Sequence, residues 1–424
     1  MNTVHAQNFF PLPPGFNAQV RTLYYDSTNN LLYVGGNFWA LHNGQPMNYI
    51  SRWNGVSWDS LASGVDDSQN VISLIEYNGN LIASGVFSQI GGIQSKGLAK
   101  WDGINWQFFT NATSQFGYGC VWTLFVDNND LYIGGCFDTV NGIAAKSFAR
   151  YDGNSWYSYP PLNFVQAIAK YNGEIYVAGD FNAGAGKKDI VKWDGTNWVS
   201  VGGGFSGPNS WVNCMTVYQG DLYVGGYFFT TQGDPGNTIA IWNGTNWSQP
   251  GNGLMPSNVD AHVFKNELYA GGQILDASGI SVTYIAKWNG SNWFSLGSTF
   301  STAVSSFASN GNDLYIGGGF LTIDGDTMMC ITRYSPPLGI EENSWNTSGI
   351  TITPNPNKGN FSLTSLFYPI ESIRLFDLSG RVFFSKDKIL SNSYECKLKS
   401  PDGIYIAEVF MNKKAYRNKI LILH

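Results

Sequence analysis

The sequence is poor in charge, cysteine and long apolar runs. Only 13% of its 424 residues are charged, against about 25% in an ordinary soluble domain, which argues against a coiled coil, a disordered chain and a helical bundle. Its 5 cysteines are scattered and include no Cys-x-x-Cys pair, which argues against a disulfide framework or a zinc site. No apolar run approaches the roughly 20 residues of a membrane helix. The chain has instead 50 glycines and 15% aromatic residues, which is typical of short strands joined by tight turns.

The charge changes sign along the chain. Residues 1–349 contain 13 Lys and Arg against 24 Asp and Glu, whereas residues 350–424 contain 11 against 6. An acidic body disfavours nucleic acid as a partner. The basic end is predicted to be a separate domain.

One phrase recurs seven times at intervals of 44–50 residues. It runs from Leu or Ile to glycine, as in Leu32 to Gly36, and a Val lies about ten residues before each copy. Six copies are followed by Asn-Gly or Asp-Gly between two aromatic residues, as in Trp53 to Trp58. This pattern predicts a hairpin, because a type I′ turn needs positive φ at both central positions. Each repeat therefore contains four antiparallel strands, A to D, as in a β-propeller blade.

The seventh repeat lacks its aromatic hairpin, and prolines follow its third strand. The missing strand D is expected at the N-terminus, where the spacing of apolar residues matches that of the sixth repeat. The matching residues are Phe9, Leu12, Phe16 and Val20, against Trp293, Leu296, Phe300 and Val304. We predict an all-β fold whose residues 8–335 form a seven-bladed β-propeller of four-stranded blades, closed by the N-terminal strand.

The repeat resembles kelch-type propellers, which combine a hydrophobic strand, a double glycine and a spaced Tyr and Trp. The aromatic pair lies closer together here than in kelch repeats, so the C–D hairpin is expected to be tighter. The repeat is also similar to the propeller repeats of fungal cell-surface polarity landmark proteins. Both resemblances imply a fold, and a fold does not fix a function.

The last 75 residues have a different pattern, with strands separated by Pro, Asp and Gly turns that predict a small β-sandwich. Residues 336–349 are interpreted as a linker. Four elements stand out in order: Pro354, Asn355 and Pro356 with Gly359; Asp377 with Gly380 and Arg381; Gly403 with Tyr405; and Lys419 in a terminal strand.

This series closely resembles the type A C-terminal sorting domain of the type IX secretion system. The resemblance implies that residues 350–424 are bound by an outer-membrane translocon of a Gram-negative bacterium, and that the protein is secreted or displayed on the surface. Residues 1–7 contain Val4, His5 and Ala6, which are similar to the end of a signal peptide, and are otherwise expected to be disordered.

No catalytic, metal or cofactor site is predicted. The propeller contains only His42 and His262, with no His/Asp/Glu cluster at metal-ligand spacing and no phosphate-binding loop. Sialidase boxes fail to match, and a copper-radical site would need more histidines. The hairpin tryptophans could stack on sugars, but a residue repeated at one blade position is interpreted as scaffold.

Function is instead expected where the repeat varies. The residue after the constant Val of strand A should line the central channel, and it differs in every blade: Arg21, Ile72, Trp122, Gln166, Asn213, Asp260 and Ser305. A variable, mostly polar ring on a constant scaffold suits a ligand site, although it could also line a water-filled pore. The predicted ligand residues are Arg21, Trp122, Gln166, Asn213 and Asp260. Aromatic residues outside the repeat could extend this face: Trp39, Phe116, Tyr118 and Trp211.

Cys120 and Cys136 flank the A–B hairpin of the third repeat. They could form a disulfide, which export would permit, or remain two unpaired thiols. The sequence thus predicts a secreted or cell-surface binding or adhesion propeller whose ligand is a glycan or a surface protein. The alternatives are a secreted carbohydrate-active hydrolase or lyase and a structural component of a surface layer.

Overall fold

A computed structural model describes residues 8–336 and 350–422, apart from short gaps at 68, 116, 118, 185–186, 206, 208, 356, 366–367, 378–380 and 413. The predicted signal-peptide remnant (1–7) and nearly all of the predicted linker (337–349) lie outside the described residues. The chain divides into two compact units, Met1–Ser335 and Pro336–His424.

The first unit is a β-propeller of seven antiparallel, four-stranded blades, which confirms the predicted fold class. In the order A to D, the strands are Val20–Asp26, Leu31–Gly36, Ile50–Trp53 and Trp58–Ser60 in blade 1; Asn70–Tyr77, Asn80–Val86, Gly97–Trp101 and Trp106–Thr113 in blade 2; Val121–Asp127, Asp130–Gly135, Phe148–Tyr151 and Trp156–Ser158 in blade 3; and Val165–Tyr171, Glu174–Asn182, Lys188–Trp193 and Trp198–Ser200 in blade 4.

The remaining blades continue the same order. They are Trp211–Tyr218, Asp221–Tyr227, Ile239–Trp242 and Trp247–Ser248 in blade 5; Leu254–Phe264, Glu267–Ala277, Ile285–Trp288 and Trp293–Ser295 in blade 6; and Val304–Ser309, Leu314–Gly318, Ile331–Tyr334 and Phe9–Pro11 in blade 7. Short elements decorate the B–C connections: Gln89–Ile90 with Ile93–Gln94, Thr139–Val140 with Ile143–Ala144, the 3-10 helix Thr230–Gln232, Ile280–Ser281, and Thr322–Ile323 with Asp326–Thr327.

The N-terminal strand supplies strand D of blade 7. Phe9 pairs with Tyr334 and Pro11 with Thr332, in antiparallel register. The Phe9 ring packs edge-on against Phe300, with 5.4 Å between the ring centroids. The two ends of the propeller sequence therefore share one sheet and one core.

The glycine pair at the end of strand B lets neighbouring elements approach. A Cβ at Gly317 in blade 7 would lie 2.4 Å from Cγ1 of Val20 in blade 1, and one at Gly318 would lie 2.3 Å from the carbonyl oxygen of Ala303. Real Cβ contacts are not this short, so the first glycine admits the next blade's Val and the second admits its own blade's strand A. The constant Val and the first glycine therefore form the contact between neighbouring blades.

The hairpin tryptophans pack between blades, in agreement with their interpretation as scaffold. The second aromatic residue is buried or half-buried, and in five of the six hairpins its indole Nε1 donates to a carbonyl after the preceding blade. Examples are Trp106 to Leu61 at 2.9 Å and Trp293 to Pro250 at 3.0 Å. These residues therefore have little surface left for a sugar.

The second unit is a small sandwich of two antiparallel sheets. The three-stranded sheet has the order Ile350–Thr353, Asn360–Ser365, Ser393–Lys397, and the four-stranded sheet has the order Val382–Ser391, Ile370–Phe376, Gly403–Met411, Lys414–Ile422. Leu363 of the first sheet and Ile373 and Val409 of the second lie in one buried core. Alternation of apolar and polar residues along these strands produces this packing.

Candidate ligand-binding site

A β-bulge at the start of strand A positions the variable ring. In blade 1, Val20 pairs with Gly36 and Thr22 with Gly35, so Arg21 is the extra, unpaired residue. The same shift follows the constant Val in blades 2, 3, 4, 5 and 7. Bulges re-aim side chains and are common beside functional sites. Here they turn the ring position toward the channel.

Blade 6 differs from this pattern. Its strand A has one residue fewer between the constant Val and strand B, and Asp260 pairs directly with Gly271. The bulge lies instead before Val259. Asp260 still lines the channel, but as a paired strand residue with less freedom to turn toward water.

All seven ring positions line one cavity of about 670 Å³ at the channel mouth. The five predicted ligand residues Arg21, Trp122, Gln166, Asn213 and Asp260 are therefore brought together, with Ile72 and Ser305 between them. Gln19, Gln273 and Ala303 also contribute to the wall. The cavity falls within the size range of small-ligand sites.

One side of the mouth is polar. Arg21 Nε donates to Asn37 Oδ1 at 2.9 Å, and Gln19 Nε2 donates to Ser305 Oγ at 2.8 Å. Burial lowers the pKa of Arg21 from its ordinary 12.5. The side chain is still a cation at neutral pH, because the guanidinium group of arginine stays protonated in proteins. This side therefore offers a fixed guanidinium, amides and a hydroxyl.

Two buried amide oxygens near the mouth lack a partner among the described residues. Asn213 Nδ2 donates to the Val259 carbonyl at 3.0 Å, but its Oδ1 accepts no hydrogen bond. Asn70 Oδ1, directly before the constant Val of blade 2, is also unpaired. A buried polar atom without a partner is uncommon and costs about 1–3 kcal/mol. Asn213 is also one of the residues that line the cavity.

Asp260 is a partly buried carboxyl group with no cation within ion-pair distance in the described part of the chain. Desolvation raises its pKa from 3.8 to about 7, against a smaller lowering by the backbone N–H of Ala261. Near neutral pH this group can therefore donate or accept a proton.

The other side of the mouth is aromatic. Trp122 stacks on Phe164 with the centroids 6.0 Å apart and 20° between the planes. Trp211 stacks on Tyr227 at 4.5 Å and 13°, and Phe229 meets the edge of Tyr227 at 5.0 Å. Phe164 is 48% exposed. Blades 3 to 5 thus present flat apolar surface beside the polar ring.

Trp39 lies in the B–C connection of blade 1 and is 58% exposed. Phe116 and Tyr118 lie outside the described residues.

Two further variable positions were missed by the sequence analysis, which had named only Trp211 among their residues. The residue before the constant Val supplies Gln19, Phe164 and Trp211, and the residue after the glycine pair supplies Asn37, Tyr227 and Gln273. These positions also vary between blades, and that shared variability was the signal that could have revealed them. The site is therefore wider than the predicted ring.

His262 lies two residues beyond Asp260 on the same strand. Its Nε2 is 3.0 Å from Ser309 Oγ, and desolvation lowers its pKa from 6.5 to about 4. It is a neutral, hydrogen-bonded histidine. Within the described ranges, His, Cys, Asp and Glu side chains form no group of three that could hold a metal.

Cys120 and Cys136 are half-buried free thiols in the structure. They stand opposite each other on strands A and B of blade 3, immediately beyond the pair of Val121 and Gly135. A hydrogen bond from Cys136 lowers the pKa of Cys120. The predicted adjacency is present.

The sorting-motif residues shape turns of the sandwich. Asp377 accepts from the backbone N–H and the Nε of Arg381 at 3.1 and 3.2 Å. The Tyr405 hydroxyl donates to the Pro401 carbonyl at 2.8 Å. Gly403 begins this strand, and Lys419 pairs with Ile406.

The opening of the motif forms another turn. Pro354 and Asn355 follow the first strand of the sandwich. The Gly359 N–H donates to Asn357 Oδ1 at 2.8 Å, and Gly359 has a φ of 81°. Pro356 and Gly380 lie outside the described residues.

Residues 351–423 match the family described as the secretion system C-terminal sorting domain. The second unit carries a type IX sorting signal. This domain indicates a secreted or cell-surface protein of Bacteroidetes that is handled by the type IX secretion system. None of the helices in the described residues has the length and apolar character to cross a membrane.

The chain is also similar to several solved structures at low identity. The computationally designed Ika8 protein is 12% identical, with a TM-score of 0.41, over 96% of this chain and 98% of that one. The GH74 enzyme of Niastella koreensis is 13% identical, with a TM-score of 0.48, over 97% and 67%. A Bacteroides thetaiotaomicron protein of unknown function is 11% identical, with a TM-score of 0.37, over 77% and 72%. These likenesses carry no argument about function, and no curated protein matches the chain.

Proposed function

We propose that this protein is an exported propeller that binds a glycan at its channel mouth, on the cell surface or outside the cell. The observation that carries the proposal is the convergence of seven different side chains on one cavity of a repeated scaffold. Scaffold residues repeat because every blade packs in the same way. A position that differs in every blade and faces a shared cavity is free to serve a ligand.

The chemistry of the mouth favours a glycan. A sugar ring combines apolar C–H faces, which stack on aromatic rings, with hydroxyls that both donate and accept. The stacked pair of Trp122 and Phe164 would supply the platform. Arg21, Asp260 and Asn213, which line the cavity, would bond to hydroxyls. A surface protein is the other ligand class, and its binding is an outcome of the test.

The binding function is favoured over a carbohydrate-active hydrolase or lyase. A glycosidase needs two carboxyl groups across the scissile bond, and among the described residues that line the cavity Asp260 is the single carboxylate. A structural role in a surface layer would not need a cavity with unpaired polar atoms.

The proposal includes the domain organisation. Residues 8–335 would form the kelch-like propeller, 336–349 the linker, and 350–424 the domain that the translocon binds. The outer membrane of a Gram-negative cell would be the place of export.

A glycan array tests the function. The full chain and two variants, Trp122→Ala and Val56→Ala, would be applied to the same array. Val56 is 84% exposed in the C–D turn of blade 1, at the opposite end of the blade from the mouth. We expect selective signals with the wild type and Val56→Ala, and at least tenfold weaker signals with Trp122→Ala. Equal signals from all three proteins, or cleavage of a polysaccharide without binding, would contradict the proposal.

A further inference from the structure

We propose that Cys120 and Cys136 are a disulfide site at the channel mouth, which joins strands A and B of blade 3 after the protein leaves the cytoplasm. Both side chains are thiols in the structure. The site does not depend on the proposed ligand.

The register of blade 3 places the two residues opposite each other. Val121 pairs with Gly135, and the N–H of Cys136 donates to the carbonyl of Cys120 at 2.8 Å. Opposed residues in antiparallel strands have Cα atoms about 4.5–5.5 Å apart. This spacing lies within the roughly 4.4–6.8 Å that a disulfide spans.

The side chains at these two positions point the same way. In blade 5 the equivalent positions hold Trp211 and Tyr227, which are paired across the strands and stacked with their ring centroids 4.5 Å apart. The blade geometry therefore places the Cys120 and Cys136 side chains side by side on the same face of the sheet.

Gly135 keeps the strands close at this point. A Cβ at Gly135 would lie in impossible contact with the carbonyl oxygen of Cys120. Without a side chain at 135, the backbone at 120 settles against strand B. The approach of the two cysteines is thus fixed by Gly135, the second residue of the motif that ends strand B, and this position is glycine in every blade.

The other three cysteines have a different character. Cys214, Cys330 and Cys396 are buried, at 8%, 1% and 1% exposure, and burial raises the pKa of each thiol. Cys120 and Cys136 are half-buried, so an oxidant reaches them. The sorting domain sends the chain into compartments where disulfides persist.

Oxidation of Cys120 and Cys136 to a disulfide needs an oxidant that accepts two electrons. A second disulfide can serve, such as that of a periplasmic dithiol oxidase or of oxidised glutathione. The Cys120 thiol loses its proton, and its sulfur attacks the oxidant to form a mixed disulfide and release one thiol. The Cys136 thiol then loses its proton and displaces the second thiol. Two cysteine thiols become one disulfide, and one disulfide becomes two thiols.

The test uses the full chain, purified in reduced form and incubated with oxidised glutathione. After denaturation and alkylation, trypsin releases residues 101–146, which contain Cys120 and Cys136 and no other cysteine. We expect this peptide to be lighter by two hydrogen atoms and to carry no alkyl group. The peptides that contain Cys214 and Cys330 should remain alkylated.

The Cys136→Ser variant is the matched control. Its Cys120 should stop at the mixed disulfide with glutathione, which the wild type resolves. Recovery of the wild-type peptide with two alkyl groups, or with two glutathione adducts, would overturn the proposal, because the sulfur atoms would then not reach each other.

Discussion

Replacing Asp260 with Asn should stabilise the protein above about pH 4, with the full effect reached above about pH 7. Burial raises the pKa of Asp260 from 3.8 to about 7 in the folded state, so the folded protein binds this proton more tightly than the unfolded chain. The stability that the proton confers is complete below about pH 4 and is lost as the pH rises to about 7. Asn keeps the shape of the side chain and has no charge to bury.

The magnitude follows from the difference in pKa. A pKa that rises from 3.8 to about 7 corresponds to about 4 kcal/mol at 1.36 kcal/mol per tenfold change. Asp260 is only partly buried, and water in the channel screens part of this cost, so we expect about 2 kcal/mol. For a unit of this size that is a rise in Tm of roughly 4 °C.

Thermal unfolding of the two proteins from pH 4 to pH 8 measures the effect. The difference in Tm between Asp260→Asn and the wild type should be near zero at pH 4 and reach its full value at pH 8. Asp326→Asn, at an exposed carboxylate of the blade 7 hairpin, should give a small difference at every pH. A constant difference for Asp260→Asn, or a lower Tm than the wild type at pH 8, would refute the reasoning.

Two further predictions concern the ring and the tail. Gly317→Ala should lower the Tm by several degrees, because the new Cβ would meet Val20 at 2.4 Å and overpacking costs about 1–3 kcal/mol. The control variant Gly319→Ala should change the Tm little, because its Cβ would meet only Thr302 at 3.5 Å. Equal changes in Tm for the two variants would count against the contact between blades. Deletion of residues 350–424 should abolish appearance of the protein at the cell surface and in the medium on immunoblots, and normal export of the truncated chain would show that the sorting domain is dispensable.

The fold was predictable because the same short sequence signals recur from one repeat to the next. The Asn-Gly and Asp-Gly pairs lie in the predicted hairpins, but the predicted type I′ turn was wrong: Trp53 pairs with Trp58 across four residues, and of these only Gly55 has positive φ. A double glycine marks the contact between blades in five of the seven repeats. The placement of the N-terminal strand followed from the spacing of Phe9 and Leu12. These are short-range signals, and seven copies reinforce them.

The candidate site was predictable only in part. The ring from Arg21 to Asp260 could be found because one variable position follows a constant Val. The stack of Trp122 on Phe164 joins two blades, and no spacing within a repeat reveals it. The raised pKa of Asp260 likewise depends on burial by neighbouring blades. Asp260 is also paired in its strand without the usual bulge, because blade 6 has one residue fewer between the constant Val and strand B.

Hydroxyl-radical footprinting of the full chain, with and without the glycan that gives the strongest array signal, tests binding at the channel mouth most directly. We predict that bound glycan protects Trp122, Phe164 and Trp211 from oxidation and leaves Tyr157, which is exposed on the outer strand of blade 3, unchanged. Protection of Tyr157 with no change at the three mouth residues would contradict the account.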